Sequence, residues 1–180
     1  MITIDLDNTI LPHYVSHDLR DFRFYSPQKN GTVKELLVQI RDIFDPLLPN
    51  VFNIGFGPPN ESGSFRDDVS MEHLNPGKVF STVIVLAVAF LERNPSVFIG
   101  IDGSDDRRAS LYHRMFRFNS RSLADMLTLT GVDWYVRLLR NGDVERDIDG
   151  NPYFKPRPEA FDFQRKASDL YRYYLINLIP

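Results

Sequence analysis

Residues 75–112 read NPGKVFSTVIVLAVAFLERNPSVFIGIDGSDDRRASLY, and the reading of this stretch decides the fold. Asn75 before Pro76 is a helix start: the Asn side chain accepts from an orphan backbone N–H, and proline at the first helical position gives up no needed donor. Asn94-Pro95 stops the helix at about Arg93, because the residue before a proline is pushed out of the helical region. Between Val79 and Leu91 nearly every residue is apolar. That run is about five residues too short to span a bilayer and suits a helix buried on most sides. The β-branched cluster Val83-Ile84-Val85 favours a strand, but the run exceeds the usual strand length and carries a helical cap, so it reads as a helix.

Residues 96–101 form a short apolar run between Pro95 and Asp102-Gly103, the pattern of a buried strand. Gly103-Ser104 then opens a second helix. Ser104 is its expected N-cap, Asp105 and Asp106 suit the first turn, and Leu111, Met115 and Phe118 recur at the spacing of a core-facing side. The middle of the chain is thus helix, strand, glycine turn, helix.

With 180 residues, 43% of them hydrophobic, the chain can bury one sizeable core and reads as a single domain, 1–180. A formal net charge of −3 gives no global attraction to nucleic acid or membrane, so any such binding needs a local patch. The absence of cysteine excludes disulfides, thiolate nucleophiles and zinc-thiolate sites. The first residues show no basic region followed by an apolar stretch, so the expectation is a cytoplasmic protein without membrane association.

Residues 1–11 read MITIDLDNTIL. Asp5-Leu6-Asp7-Asn8-Thr9 resembles the first motif of the haloacid dehalogenase-like phosphohydrolases, D-x-D-x-T after a short apolar strand. The resemblance implies Asp5 as nucleophile, Asp7 as acid/base and magnesium to balance the charge. The bland alternative is an N-terminal strand followed by a turn at Asp7-Asn8. That family needs a parallel α/β layout, whereas residues 20–71 read as strands and turns.

Residues 21–25 alternate charge and ring as a half-buried strand does, and residues 27–31 turn. Residues 32–43 fit a second strand without clean alternation, or an amphipathic helix. Residues 51–57 are a third strand, whose glycines suggest a bulge or close backbone approach. Residues 65–71 are expected as a fourth. Residues 132–138 read as a strand, Asn141-Gly142 as a hairpin turn, and 145–148 as the returning chain. Residues 161–178 read as a tyrosine-rich amphipathic C-terminal helix that covers the sheet or a partner.

Taken together, Phe52-Asn53-Ile54-Gly55-Phe56-Gly57, Asp67-Asp68-Val69-Ser70, Lys78-Val79 with Thr82-Val83, and Gly103-Ser104 followed by Arg108, Leu111 and Tyr112 resemble the domain-of-unknown-function family numbered 6934, small bacterial proteins. The resemblance runs over about residues 18–163, leaving a 1–17 extension and the 161–180 helix outside. The family pattern has a second arginine where this chain has Ser110 and a threonine where it has Ala109, with Arg107 as a possible substitute. The resemblance implies a fold and carries no activity.

Chemistry is concentrated locally. Arg107, Arg108, Arg114, Arg117 and Arg121 put five guanidinium groups within fifteen residues, and Arg107, Arg114 and Arg121 recur two helical turns apart on one face. Such a stripe beside a helix N-terminus is a candidate anion site, with Ser104, Arg107, Arg108, Tyr112, Arg114 and Arg121 as ligand-binding residues. The alternative is a solvated network in which Asp105 and Asp106 pair with Arg108. His13, His17, His73 and His113 lack metal-ligand spacing, and Glu72-His73 beside Asp67-Asp68 is either a catalytic cluster or a surface loop.

The sequence therefore predicts an α+β domain: a mainly antiparallel sheet, a buried central helix, an arginine-bearing helix on one face and a C-terminal helix. No cofactor or metal is called for and no catalytic residue is assigned. The favoured function is a binding or regulatory module for a phosphate-bearing ligand or nucleic acid. The alternatives are a protein-interaction component of a toxin–antitoxin or phage-defence operon, contacting a partner or itself through the C-terminal helix, and the magnesium-dependent phosphatase.

Overall fold

The apolar and alternating runs of the chain pair into one eight-stranded sheet in the computed structural model, which describes residues 1–103 and 105–179. In chain order the elements are β1 (Tyr14–Val15), β2 (Asp21–Pro27), β3 (Val33–Asp42), β4 (Val51–Gly57), α1 (Pro76–Arg93), β5 (Phe98–Asp102), α2 (Asp106–Leu123), β6 (Leu127–Val136), β7 (Phe154–Ala160) and β8 (Tyr173–Leu178). The strands lie side by side as β1-β2-β3-β4-β5-β8-β6-β7. All neighbours are antiparallel except β4 and β5, so the fold is α+β with a mixed, mostly antiparallel sheet. α1 makes the crossover from β4 to its parallel neighbour β5. α2 joins β5 to β6, which also run parallel, but antiparallel β8 occupies the place between them.

Both helices contribute to one core. Val79, Val83, Ala87 and Phe90 of α1 and Met115 and Phe116 of α2 pack with Phe22, Phe24, Leu36, Val38, Ile40, Ile99, Tyr174 and Ile176 from one face of the sheet. The opposite face carries a smaller cluster of Leu48, Val51, Val132, Tyr173 and Leu175. α1 has the ends its sequence specifies: the Asn75 side chain accepts from the Lys78 N–H, Pro76 opens the first turn and Asn94 closes the last. Among the described residues no helix is long and apolar enough to cross a membrane.

Residues 33–42 are a strand, and the fully buried run Leu36–Leu37–Val38–Gln39–Ile40 explains their lack of alternation. A strand covered on both faces has no polar side to display. The glycines of β4 serve close approach: a Cβ at Gly55 would run into the Phe65 ring, and one at Gly57 into the Arg66 carbonyl.

Three expectations are corrected. Residues 65–71 are not a fourth strand; their only ladder contact is the Pro59–Phe65 bridge. Phe65 is spent covering the β4 glycines, while Asp67 and Asp68 face arginines on an exposed loop. β6 starts at Leu127, earlier than the expected 132, because residues 127–132 pair along β8. Asn141-Gly142 does turn the chain, with a Leu138–Val144 bridge and Gly142 at φ 84°. Most consequential, residues 161–178 are not a helix. They form a connecting segment and then β8, whose Tyr173, Tyr174, Leu175 and Ile176 are all buried. An apolar run that fills both faces of an inner strand looks the same in sequence as a buried helix. The C-terminal helix is therefore also withdrawn as a partner surface.

Residues 1–11 contain no strand, so Asp5 and Asp7 lack the strand end that the phosphohydrolase motif occupies. They sit in a turn closed by the Asn8 N–H on the Asp5 carbonyl at 3.1 Å. Polar side chains of the helices hold this segment. Ser81 Oγ accepts from the Asp5 N–H at 2.8 Å, Thr82 Oγ1 from that of Ile10 at 2.8 Å, and Asn119 Oδ1 from that of Ile4 at 2.7 Å. Ile4, 4% exposed, is thereby part of the core.

The chain entering β8 is fixed by a charge cluster. Arg165 donates to both carboxylate oxygens of Asp133 and, at 2.9 Å, to Glu159, and its guanidinium stacks 3.8 Å from the Tyr171 ring centre. Tyr171 donates to Glu159 at 2.7 Å and covers Gly131, where a Cβ would strike its ring. Removing Arg165 leaves Glu159 without an ion-pair partner among the described residues and Asp133 with the longer 3.3 Å pair to Arg157 in a half-buried site. Arg165→Ala is expected to lower stability by about 2–4 kcal/mol in urea unfolding, a cost set by the orphaned partners. Deleting residues 173–180 is expected to abolish cooperative thermal unfolding altogether, because it opens two inner edges at once.

Candidate functional site

The second helix presents two unlike sides. Asp105 caps it, its carboxylate accepting from the Arg108 N–H at 2.8 Å. Ser104, expected as both cap and ligand residue, lies outside the described residues. Ala109, His113, Met115, Phe116, Asn119 and Leu123 form the buried side of α2. On the other side, Arg107, Arg114, Arg117 and Arg121 are exposed. Seven-residue spacing aligns Arg107, Arg114 and Arg121, and Arg117 lies one turn before Arg121. Phe118 joins this stripe, one turn after Arg114 and three residues before Arg121.

Phe118 is 53% exposed, against the expectation that it faces the core. Spacing leaves its side open, since 111, 115 and 118 follow the same i, i+4, i+7 rule as 114, 118 and 121.

The candidate arginines separate into two sets. Arg108 donates to the Asp67 carbonyl at 2.8 Å and makes ion pairs with Asp67 at 3.5 Å and Asp105 at 3.2 Å, tying the 58–74 loop to the helix start. Asp106 is engaged by Arg172. The N-terminus of α2 is thus filled by its own carboxylates. Among the described residues none of Arg107, Arg114, Arg117 and Arg121 has an ion pair, whereas Arg20, Arg23, Arg41, Arg66, Arg146, Arg157 and Arg165 all do. Tyr112 belongs with the core. Its ring stands edge-on to Phe80 and Tyr174, and burial pushes its hydroxyl pKa up.

Beside the stripe a cleft of about 620 Å³ opens between residues 1–8, the start of α1 and one flank of α2. Thr3, Asp5, Asn75, Lys78, Leu111 and Arg114 line it, so Arg114 belongs to both features. Lys78 and Arg114 supply positive charge and Asp5 the opposing carboxylate.

The second loop cluster does not converge. His73 Nδ1 lies 2.8 Å from Ser26 Oγ and 3.2 Å from Gln28 Nε2, fastening the loop to β2, while Asp67 and Asp68 turn to arginines. Among the described residues no group of three His, Asp or Glu side chains is placed to hold a metal ion.

Behind the stripe, His113 is 4% exposed, packs 5.1 Å from the Phe161 ring, and has no hydrogen-bond partner for either ring nitrogen among the described residues. Burial, and after it the nearby Arg117 charge, lower its pKa; the Phe163 backbone and the Asp162 charge act the other way, and Arg165 adds the smallest lowering. Burial lowers the pKa of His73 too. Below the ordinary histidine pKa of about 6.5, the unfolded chain takes up protons that the fold refuses. Stability should therefore fall as pH drops from about 6.5 towards the folded-state values. Urea titrations across that window are expected to show a shallower loss in His113→Phe than in the parent chain.

Neither a curated protein nor a solved structure matches this chain. The model of a family of unknown function, DUF6934, matches residues 11–144, a span that takes in β1 to β6, both helices and the arginine stripe and ends before β7 and β8. Since that match covers more than half of the sequence, the chain belongs to the family of unknown function DUF6934.

Proposed function

We propose that this protein is a binding module that engages a phosphate-bearing ligand or nucleic acid through the outer side of α2. The observation that carries this reading is the concentration of Arg107, Arg114, Arg117 and Arg121 on one exposed helix side with no carboxylate paired to them among the described residues. In a chain of net charge −3, with most of its other arginines neutralised locally, four uncompensated guanidinium groups in a row create a positive patch. Guanidinium forks bind phosphate oxygens bidentately, and each phosphate neutralised releases counterions. Arg108 and Tyr112, engaged within the fold, drop out of the proposed contact set, and Arg117 enters it. The adjoining cleft, with Lys78 and Arg114 on its walls, gives such a ligand room to extend.

A protein contact is the second reading, as a toxin–antitoxin or defence component would require. It is favoured by Trp134 and Phe154, which share one face of β6 and β7 and are 39% and 56% exposed, with Leu138 beyond them.

Thermal melting against nucleotides, inorganic polyphosphate and short RNA and DNA discriminates these readings, since a ligand of the native state raises the melting temperature. The expected outcome is a shift with polyanions that shrinks steeply with salt and is lost in the Arg107→Ala, Arg114→Ala double variant. A melting temperature unmoved by every polyanion would defeat the proposal and turn attention to the Trp134 face.

A further inference from the structure

Phe118 stands out from the arginines around it. A phenylalanine 53% open to water leaves more than half of its surface unburied, and α2 has ample apolar contact on its other side. Arg114 lies one turn before it and Arg121 nearly one turn after, so cations flank the ring along a stripe about 21 Å long from Arg107 to Arg121. A ligand that the arginines hold by its phosphates must pass over this ring. A double helix would bring it only sugar and phosphate, because its bases are stacked inward. A single strand carries charge for the arginines and free aromatic faces for the ring, the pairing that single-strand binding surfaces use.

We infer that the ligand of the α2 stripe is single-stranded nucleic acid, with Phe118 as the platform on which a base stacks. This rests on the stripe being a phosphate-binding surface, and it names the class of polyanion bound there. The arginines contribute affinity that is independent of sequence and sensitive to salt. Phe118 contributes a term that survives salt and requires an unpaired base.

Fluorescence anisotropy with a short fluorescein-labelled oligothymidylate, the same oligomer annealed to its complement, and inorganic polyphosphate as competitor tests both layers separately. The parent chain is expected to bind the single strand more tightly than the duplex. Phe118→Ala should weaken single-strand binding roughly ten- to a hundredfold, leave the salt dependence unchanged, and leave duplex binding unaffected. Phe118→Trp should retain single-strand binding. Since Phe118 is exposed, these variants should melt with the parent, which controls for folding. Equal binding of both forms, untouched by Phe118→Ala but lost in the Arg107→Ala, Arg114→Ala variant, would overturn the single-strand assignment while the phosphate-binding reading stands. Absence of binding to either form and to polyphosphate would overturn both.

Discussion

The hydrogen-bond ladders on the two sides of β8 are what the rest of the structure depends on. Two helical crossovers bring β4, β5 and β6 back in the same direction, and the second leaves a gap between β5 and β6. An inner gap exposes backbone donors and acceptors on both strands, which burial would make costly. β8 fills it antiparallel, from Ile99 opposite Ile176 on one side to Leu127 opposite Leu178 on the other. The Arg165 cluster and Tyr171 over Gly131 aim the chain into that gap. Beyond it, Pro156 and Pro158 lie in edge strand β7, where missing N–H groups deter further strand addition.

The same strand orients α2. Tyr174 of β8 donates its hydroxyl to the Ala109 carbonyl at 3.0 Å, while its ring packs near Phe116 and Tyr112. With that side docked, the arginine side has no option but to face water. The acidic residues at the helix start are consumed by Arg108 and Arg172, so their charge does not neutralise the arginines further along. Charge segregation along one helix, with its acids occupied at one end, is the electrostatic basis of the proposed site.

The N-terminal segment depends on the helices in a different way. Ser81 and Thr82 interrupt an otherwise apolar stretch of α1, and Asn119 is a polar residue on the buried side of α2. Each is buried and satisfied by backbone groups of residues 2–10. These polar positions seat the segment on the core and form one wall of the cleft that Arg114 shares.

α1 from cap to cap, the strand β4, the glycine turn at Gly142, the α+β class, membership of the family and the arginine repeat are all legible in the linear chain. In these cases the signal is local: a cap, a proline, a glycine or a fixed helical spacing carries the physics within a few residues. That residues 173–178 are an inner strand follows from long-range packing, since an element buried on both faces shows no period and takes its form from the gap it fills. The same holds for the core strand Leu36–Ile40 and for the loop at 65–71, whose Phe65 answers to glycines on β4. For the site, sequence spacing supplied the stripe, but which arginines have partners depended on carboxylates brought from Asp67 and Asp106, and the exposure of Phe118 on which side of α2 the β8 strand holds. Contacts between residues far apart in the chain leave no local pattern, and here they separate the structural charges from those free to bind.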